Sequence, residues 1–357
     1  NQSGSTNGFS WTITPKDTRA SRGFANGGEQ TATVTITVPG GLPSLKLGFG
    51  STLNQGIEDE SYGIDNLSIS SSGGTLTQIG SADQVVTGLV GDISATALTG
   101  TLTVTTGDNT TDNGISISTG SNDTTITASG AGDTITVNAD QMADDTTLDI
   151  NGSASFTVSN LEADTDAAGG SGALSITFSN ITDDEAKLLS GSGNVVVNGG
   201  DVSDTVTVTG LTTNNQTFNA QDSTSNFNIT AGAGNQTITG SNTGNDSIDG
   251  GSGYDTLSYA GGNTIDLTIT AFDTQAGGST GQGTDTFSSI DNLIGSAGTD
   301  VLRGIEAGRD EIATVNAANA GTFADVLNTG SFDFSSFEQL DLNAGNDVLA
   351  ITGYGSL

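Results

Sequence analysis

The chain has 357 residues, with 41 acidic against 7 basic side chains, a formal charge of -34, and neither histidine nor cysteine. A polyanion of this density repels phosphate backbones and anionic lipid, so nucleic-acid binding is not expected. Without cysteine or histidine there is no disulfide framework, no thiolate or imidazole metal site, no cysteine nucleophile and no Ser-His-Asp triad, and the chain is not expected to be an enzyme. No run of about 18 apolar residues exists to span a membrane.

The chain opens at Asn1 without an initiator Met or a signal peptide, and reads as a mature or excised piece of something longer. Residues 1–70 hold all three prolines (Pro15, Pro39, Pro43), the only tryptophan (Trp11) and four of the seven basic residues (Lys16, Arg19, Arg22, Lys46). Alternating stretches at Phe9–Ile13, Thr31–Val38, Leu45–Phe49 and Ile64–Ile69 predict antiparallel strands of a β-sandwich that is an incomplete module. A composition change at about 70–73, ending at Gly74, marks a boundary.

Residues 71–210 carry an internal repeat. At an offset of 72, Thr75/Thr147, Leu76/Leu148, Leu89/Leu161, Asp92/Asp164, Gly100/Gly172 and Leu102/Leu174 coincide. At an offset of 71, Asp133–Val137 coincides with Asp204–Val208. Two such repeats are built of short β-branched runs ended by Gly, Asn or Asp. Strands that short bury a face only by stacking, which predicts an all-β fold with parallel β-solenoid or β-roll coils after the sandwich. Helix evidence is poor: 183–189 and parts of 309–326 could each form a short helix, on brief apolar runs. The acidic pairs Asp144-Asp145 and Asp183-Asp184 read as solvated turns.

The chemistry-bearing motif lies in 211–304. It reads Gly244-Asn245-Asp246-Ser-Ile248-Asp249, then Gly250-Gly251-Ser-Gly253-Tyr-Asp255-Thr-Leu257-Ser258. The second block fits the nonapeptide G-G-x-G-x-D-x-U-x at every defined position. Glycines let backbone carbonyls turn inward, Asp supplies charge, and the apolar residue two positions on enters the core; calcium takes six to eight such oxygens. Asp285 in Gly283-Thr-Asp285-Thr-Phe287, Asp300 in Gly298-Thr-Asp300-Val-Leu302 and Asp347 in Gly345-Asn-Asp347-Val-Leu349 repeat the core of the pattern. Each of these three reads equally as an Asx turn closing a coil. In the sandwich, Glu58, Asp59, Glu60 and Asp65 repel one another unless a cation sits among them.

Residues 241–304 and 341–349 resemble RTX (hemolysin-type calcium-binding) repeats, with 305–357 as further C-terminal solenoid coils. Residues 71–210 resemble the β-strand repeats of RTX adhesins and surface-layer proteins, and 56–67 resemble the closing strands of calcium-containing sandwich modules. The resemblance implies Ca2+ as the cofactor, export, and coils 18 residues apart. On that spacing Asp255 looks back to Asn235 and Gln236, and Asp246 looks forward to Thr264, beside Asn263 and Asp266, which leaves one or two good sites. The expected role is a calcium-rigidified adhesin, surface-layer or fibre subunit that self-associates into a lattice or filament. The alternatives are a module for cell-surface polysaccharide using Trp11 and Tyr62, or the non-catalytic RTX tail of a secreted enzyme.

Overall fold

The computed structural model describes the strands Gln2–Thr6, Phe9–Pro15, Gly23–Phe24, Gly27–Gly28, Ala32–Thr37 and Ser44–Leu45, and then residues 75–352 apart from 108–113, 129, 131, 180–184, 201–203, 242, 262–263, 270–275, 280–282, 306–308 and 328–329. Every described element is a β-strand. Gln2–Thr6, Phe9–Pro15 and Ala32–Thr37 form a three-stranded antiparallel sheet, and Ser44–Leu45 lies parallel to the start of Thr75–Gly80.

From Thr75 the chain winds as a parallel β-solenoid. Alternate strands enter one of two sheets, so each coil gives one strand to a 16-stranded sheet and the next to an 11-stranded sheet. The sequence explains why. Leu102–Thr106, Thr124–Ala128 and Leu174–Phe178 alternate β-branched or apolar residues inward with polar residues outward. Stacked in register, the inward residues form continuous columns. One runs from Ile135 through Phe156, Leu174, Val195, Phe218 and Ile238 to Leu257, all buried. Pairing crosses positions 210 and 304 without a break.

The 72-residue sequence repeat has a structural cause that its offset conceals. Thr75–Gly80 lies in the larger sheet, whereas its match Thr147–Gly152, seven strands on, lies in the smaller one. Leu102 and Leu174 exchange sheets in the opposite sense. The sequence repeat therefore advances by seven half-coils, and the two sheets are quasi-equivalent.

Both helix expectations fail on the residues described. Glu185–Leu189 is a strand parallel to Thr205–Leu211, with Ala186 and Leu188 inward. Glu311–Ala317 and Ala320–Asp325 form an antiparallel hairpin. Each segment is short and flanked by paired strands, so ladder hydrogen bonds and burial override local helix propensity.

After Ser258 the coils lengthen. Side-chain-to-backbone bonds between adjacent coils span 18 to 25 residues before this point and 35 to 39 after it. The added length forms a third parallel sheet of Asp266–Thr268, Val301–Arg303 and Gln339–Asp341. There Arg303 reaches Asp266 through Nε and Nη2 at 2.6 and 2.8 Å, and Asp341 through Nη1. The 18-residue spacing expected for Asp246 is corrected accordingly: its neighbour in the next coil is Asp285, 39 residues on, rather than Thr264 beside Asp266.

Candidate metal centre

Asp and Asn side chains at the turns work first as staples between coils. Asp83 Oδ1 accepts from the Thr101 N–H at 2.9 Å, Asp123 from Thr147 at 3.0 Å, Asn194 from Thr217 at 3.0 Å, and Asn226 from Asn245 at 2.7 Å. In each case the acceptor lies one coil below its donor. The bonds satisfy amides at or near strand starts that the strand ladder leaves open. Asn245 extends the series by accepting from Thr284 at 2.8 Å.

The aspartates of the glycine-rich motifs make a second series, reaching down rather than up. Asp246 Oδ1 accepts from the Phe227 N–H at 2.9 Å, Asp255 Oδ1 from Gln236 at 2.8 Å, and Asp300 Oδ1 from Ile265 at 2.8 Å. Asp285 Oδ1 accepts from Asp246 at 3.0 Å, and Asp347 Oδ1 from Glu311 at 3.0 Å. Asp246, Asp255, Asp285 and Asp300 are buried. The glycines make room for this stacking. A Cβ on Gly244 would lie 2.2 Å from the Ser225 carbonyl, and one on Gly253 would lie 2.0 Å from that of Gly234. Gly251 and Gly253 also sit at φ of 82° and 143°, which glycine adopts without strain.

The second carboxylate oxygen separates these aspartates. A Gly-Ser pair precedes Asp246, and Ser241 donates to it through N–H at 2.7 Å and through Oγ at 3.1 Å. Gly295-Ser296 serves Asp300 in the same way, through the Ser296 N–H and through Oγ at 2.7 Å. Asp285 Oδ2 accepts from the buried Tyr259 hydroxyl at 3.2 Å. Before Asp255, however, the pair is Gly250-Gly251. Gly251 has no hydroxyl, and its N–H goes to Asp249 Oδ1 at 3.1 Å. Asp255 Oδ2 is therefore buried without a hydrogen-bond partner.

Directly below, Gln236 Oε1 is also buried without a partner, and the register Thr237↔Thr256 stacks Gln236 under Asp255. Burial raises the Asp255 carboxyl above its ordinary range, and the neighbouring Asp291 and Asp249 charges raise it further. Two orphaned oxygens in adjacent coils, inside a field of negative charge, suit a hard cation. The donor-filled oxygens of Asp246, Asp285 and Asp300 are already engaged by the protein's own N–H and O–H groups.

The remaining expected residues lie apart from this pair. Asp266 is exposed and ion-paired with Arg303. Asp347 is half-buried in the last turn. Glu58, Asp59 and Asp65 fall outside the described residues, as does Tyr62; Trp11 lies in the strand Phe9–Pro15. Among the described residues no group of three or more Asp or Glu side chains gathers into a metal cage. A cation at Asp255 would thus have one carboxylate and neutral oxygens to hold it.

Sequence reasoning passed over several working residues. Asp291 Oδ2 accepts from Asp255 N–H at 2.9 Å, and Glu338 Oε2 from Asp300 N–H at 2.8 Å. Glu311 is fully buried, with Oε1 accepting from Ile305 N–H at 2.7 Å and Oε2 unpartnered. Their signal was an acidic residue at or just before a strand start, without the glycines that drew attention elsewhere.

Fold and turns together define a parallel β-solenoid whose coils are joined by carboxylate and amide staples. Comparison with protein-family models, with characterised proteins and with solved structures finds no match to this chain.

Proposed function

We propose that this chain is a non-catalytic, calcium-binding structural module of a secreted protein of the bacterial cell surface or extracellular matrix, an adhesin, surface-layer or fibre subunit. Calcium bound between Gln236 and Asp255 stiffens the stack where short coils give way to long ones. The observation that carries the reading is the pair of buried, unpartnered oxygens, Gln236 Oε1 and Asp255 Oδ2, in consecutive coils at the glycine-rich turn that lacks a serine. An uncompensated buried oxygen costs about 1–3 kcal/mol, which a bound cation recovers.

A net charge of -34 supports export into a medium where cations screen self-repulsion. Self-association has its own support. Val348–Ile351 is the outermost strand of the larger sheet, and Val348, Leu349 and Ile351 are exposed along it.

Thermal unfolding in millimolar calcium against excess chelator tests the calcium reading. At a hundredfold excess over Kd, a ligand bound only by the folded chain adds about 2.7 kcal/mol. The expected outcome is a rise in Tm with calcium that is lost in Asp255→Ala. Superimposable melting curves with and without calcium would sink it.

A further inference from the structure

Gln216 lies one coil below Gln236 in the same column, at the register Gln216↔Gln236. Its side chain is buried. Its Nε2 donates to the Gly193 carbonyl at 2.7 Å, the Gly191 carbonyl at 2.8 Å and the Ser190 hydroxyl oxygen at 3.1 Å. Its Oε1 accepts from Thr213 N–H at 3.2 Å. The amide nitrogen thus sits among three oxygens supplied by the Ser190–Gly193 turn of the coil beneath, with every polar atom of the side chain engaged.

Going up the column, the engagement falls away. Gln236 Nε2 donates more loosely, at 3.3 Å to each of the Thr213 and Ala233 carbonyls, and its Oε1 has no partner. The Asp255 carboxylate, in the next coil, has no N–H to offer a turn oxygen and keeps one oxygen open. An amide NH2 carries partial positive charge and two protons, and it fills a cage of neutral oxygens without the desolvation cost of an ion.

We propose that the Gln216 amide is a built-in substitute for the cation: it plugs the turn that would otherwise need one, so that the Gln216 coil is free of the cation dependence of the Asp255 turn. This rests on the calcium reading of Asp255 given above. The Gln216 coil and the coil beneath it hold their stacking without calcium, and the longer C-terminal coils acquire theirs when calcium arrives. A carboxylate at position 216 turns three oxygens and a charge into a further calcium site.

Two measurements on the full chain test this. The first is calcium stoichiometry by equilibrium dialysis for the wild type and Gln216→Glu. The expected result is one additional calcium per chain in the variant. Calcium bound by the wild type, with no more in a natively folded Gln216→Glu, overturns the plug and leaves the Asp255 site standing. Calcium bound by the variant alone supports the plug and sinks the Asp255 site. No calcium on either protein overturns both.

The second is hydrogen exchange on the wild type in chelator, which decides the matter even where the variant does not fold. Val195–Gly199 and Gln216–Ser223 are expected to keep their protection, while Thr256–Ser258 and Asn292–Ile294 lose about tenfold or more. Equal loss in both regions, or in neither, overturns the proposal.

Discussion

At the scale of single residues, this protein turns acidic side chains into hydrogen-bond acceptors for its own backbone. Asp300 shows the device complete, with the Ile265 N–H, the Ser296 N–H and the Ser296 hydroxyl converging on one buried carboxylate. Ser296→Ala removes one donor, and urea unfolding is expected to show a loss of about 1–2 kcal/mol; Asp300→Ala strands all three donors and costs more. Asp246 makes the same argument in terms of pH. Burial, set against its donors, pushes its carboxyl up from an ordinary 3.8 to about 6. The folded chain therefore binds this proton more tightly than the unfolded chain does. The stability this gives is complete below the ordinary carboxylate range and drains away as pH rises through about 6. In chelator, stability should fall between about pH 4 and pH 7 by roughly 3 kcal/mol at most from this group. Asp246→Asn should flatten that part of the profile, and an unchanged slope in the variant would assign the effect elsewhere.

At the scale of elements, strands of three to eight residues are too short to stand alone, and their stability comes from the column each one joins. Phe218 is buried between its column neighbours Val195 and Ile238 and meets Phe227 of the opposite sheet edge-to-face at 5.7 Å. Phe218→Ala opens a cavity where the two sheets meet, and its expected cost in denaturant unfolding is about 3–5 kcal/mol. The same dependence on neighbours explains the two segments expected as helices. Glu185–Leu189 contains good helix formers, but its alternate residues Ala186 and Leu188 complete a column already present above and below.

At the scale of the whole molecule, the solenoid changes gauge near Ser258, from coils of two strands to longer coils that carry a third sheet. The Asp255 turn lies at that change. The far end of the larger sheet presents Leu349 at 55% exposure on a strand paired on one side only among the described residues. If this edge joins copies of the chain, Leu349→Lys should shift the sedimentation profile toward single chains without lowering Tm. Wild-type protein that sediments as a single chain at every concentration would remove the edge as a contact.

The sequence by itself determined the all-β class, the stacking of short strands and the exclusion of histidine and cysteine chemistry, because composition and period-2 alternation are local properties. It also located the glycine-rich turns, since a missing Cβ and an Asp at fixed spacing are local signals. It did not determine which residues meet. Offsets of 72 residues marked an odd number of strands and so a change of sheet, and the expected spacing of 18 pointed Asp246 toward Thr264 when its neighbour is Asp285. Only the tertiary structure distinguished a carboxylate filled by Ser241 from one left open at Asp255, or found an amide nitrogen of Gln216 in a cage of oxygens. The physical reason is that hydrogen-bond satisfaction belongs to the coil above and the coil below. The length of chain between them varies with each turn.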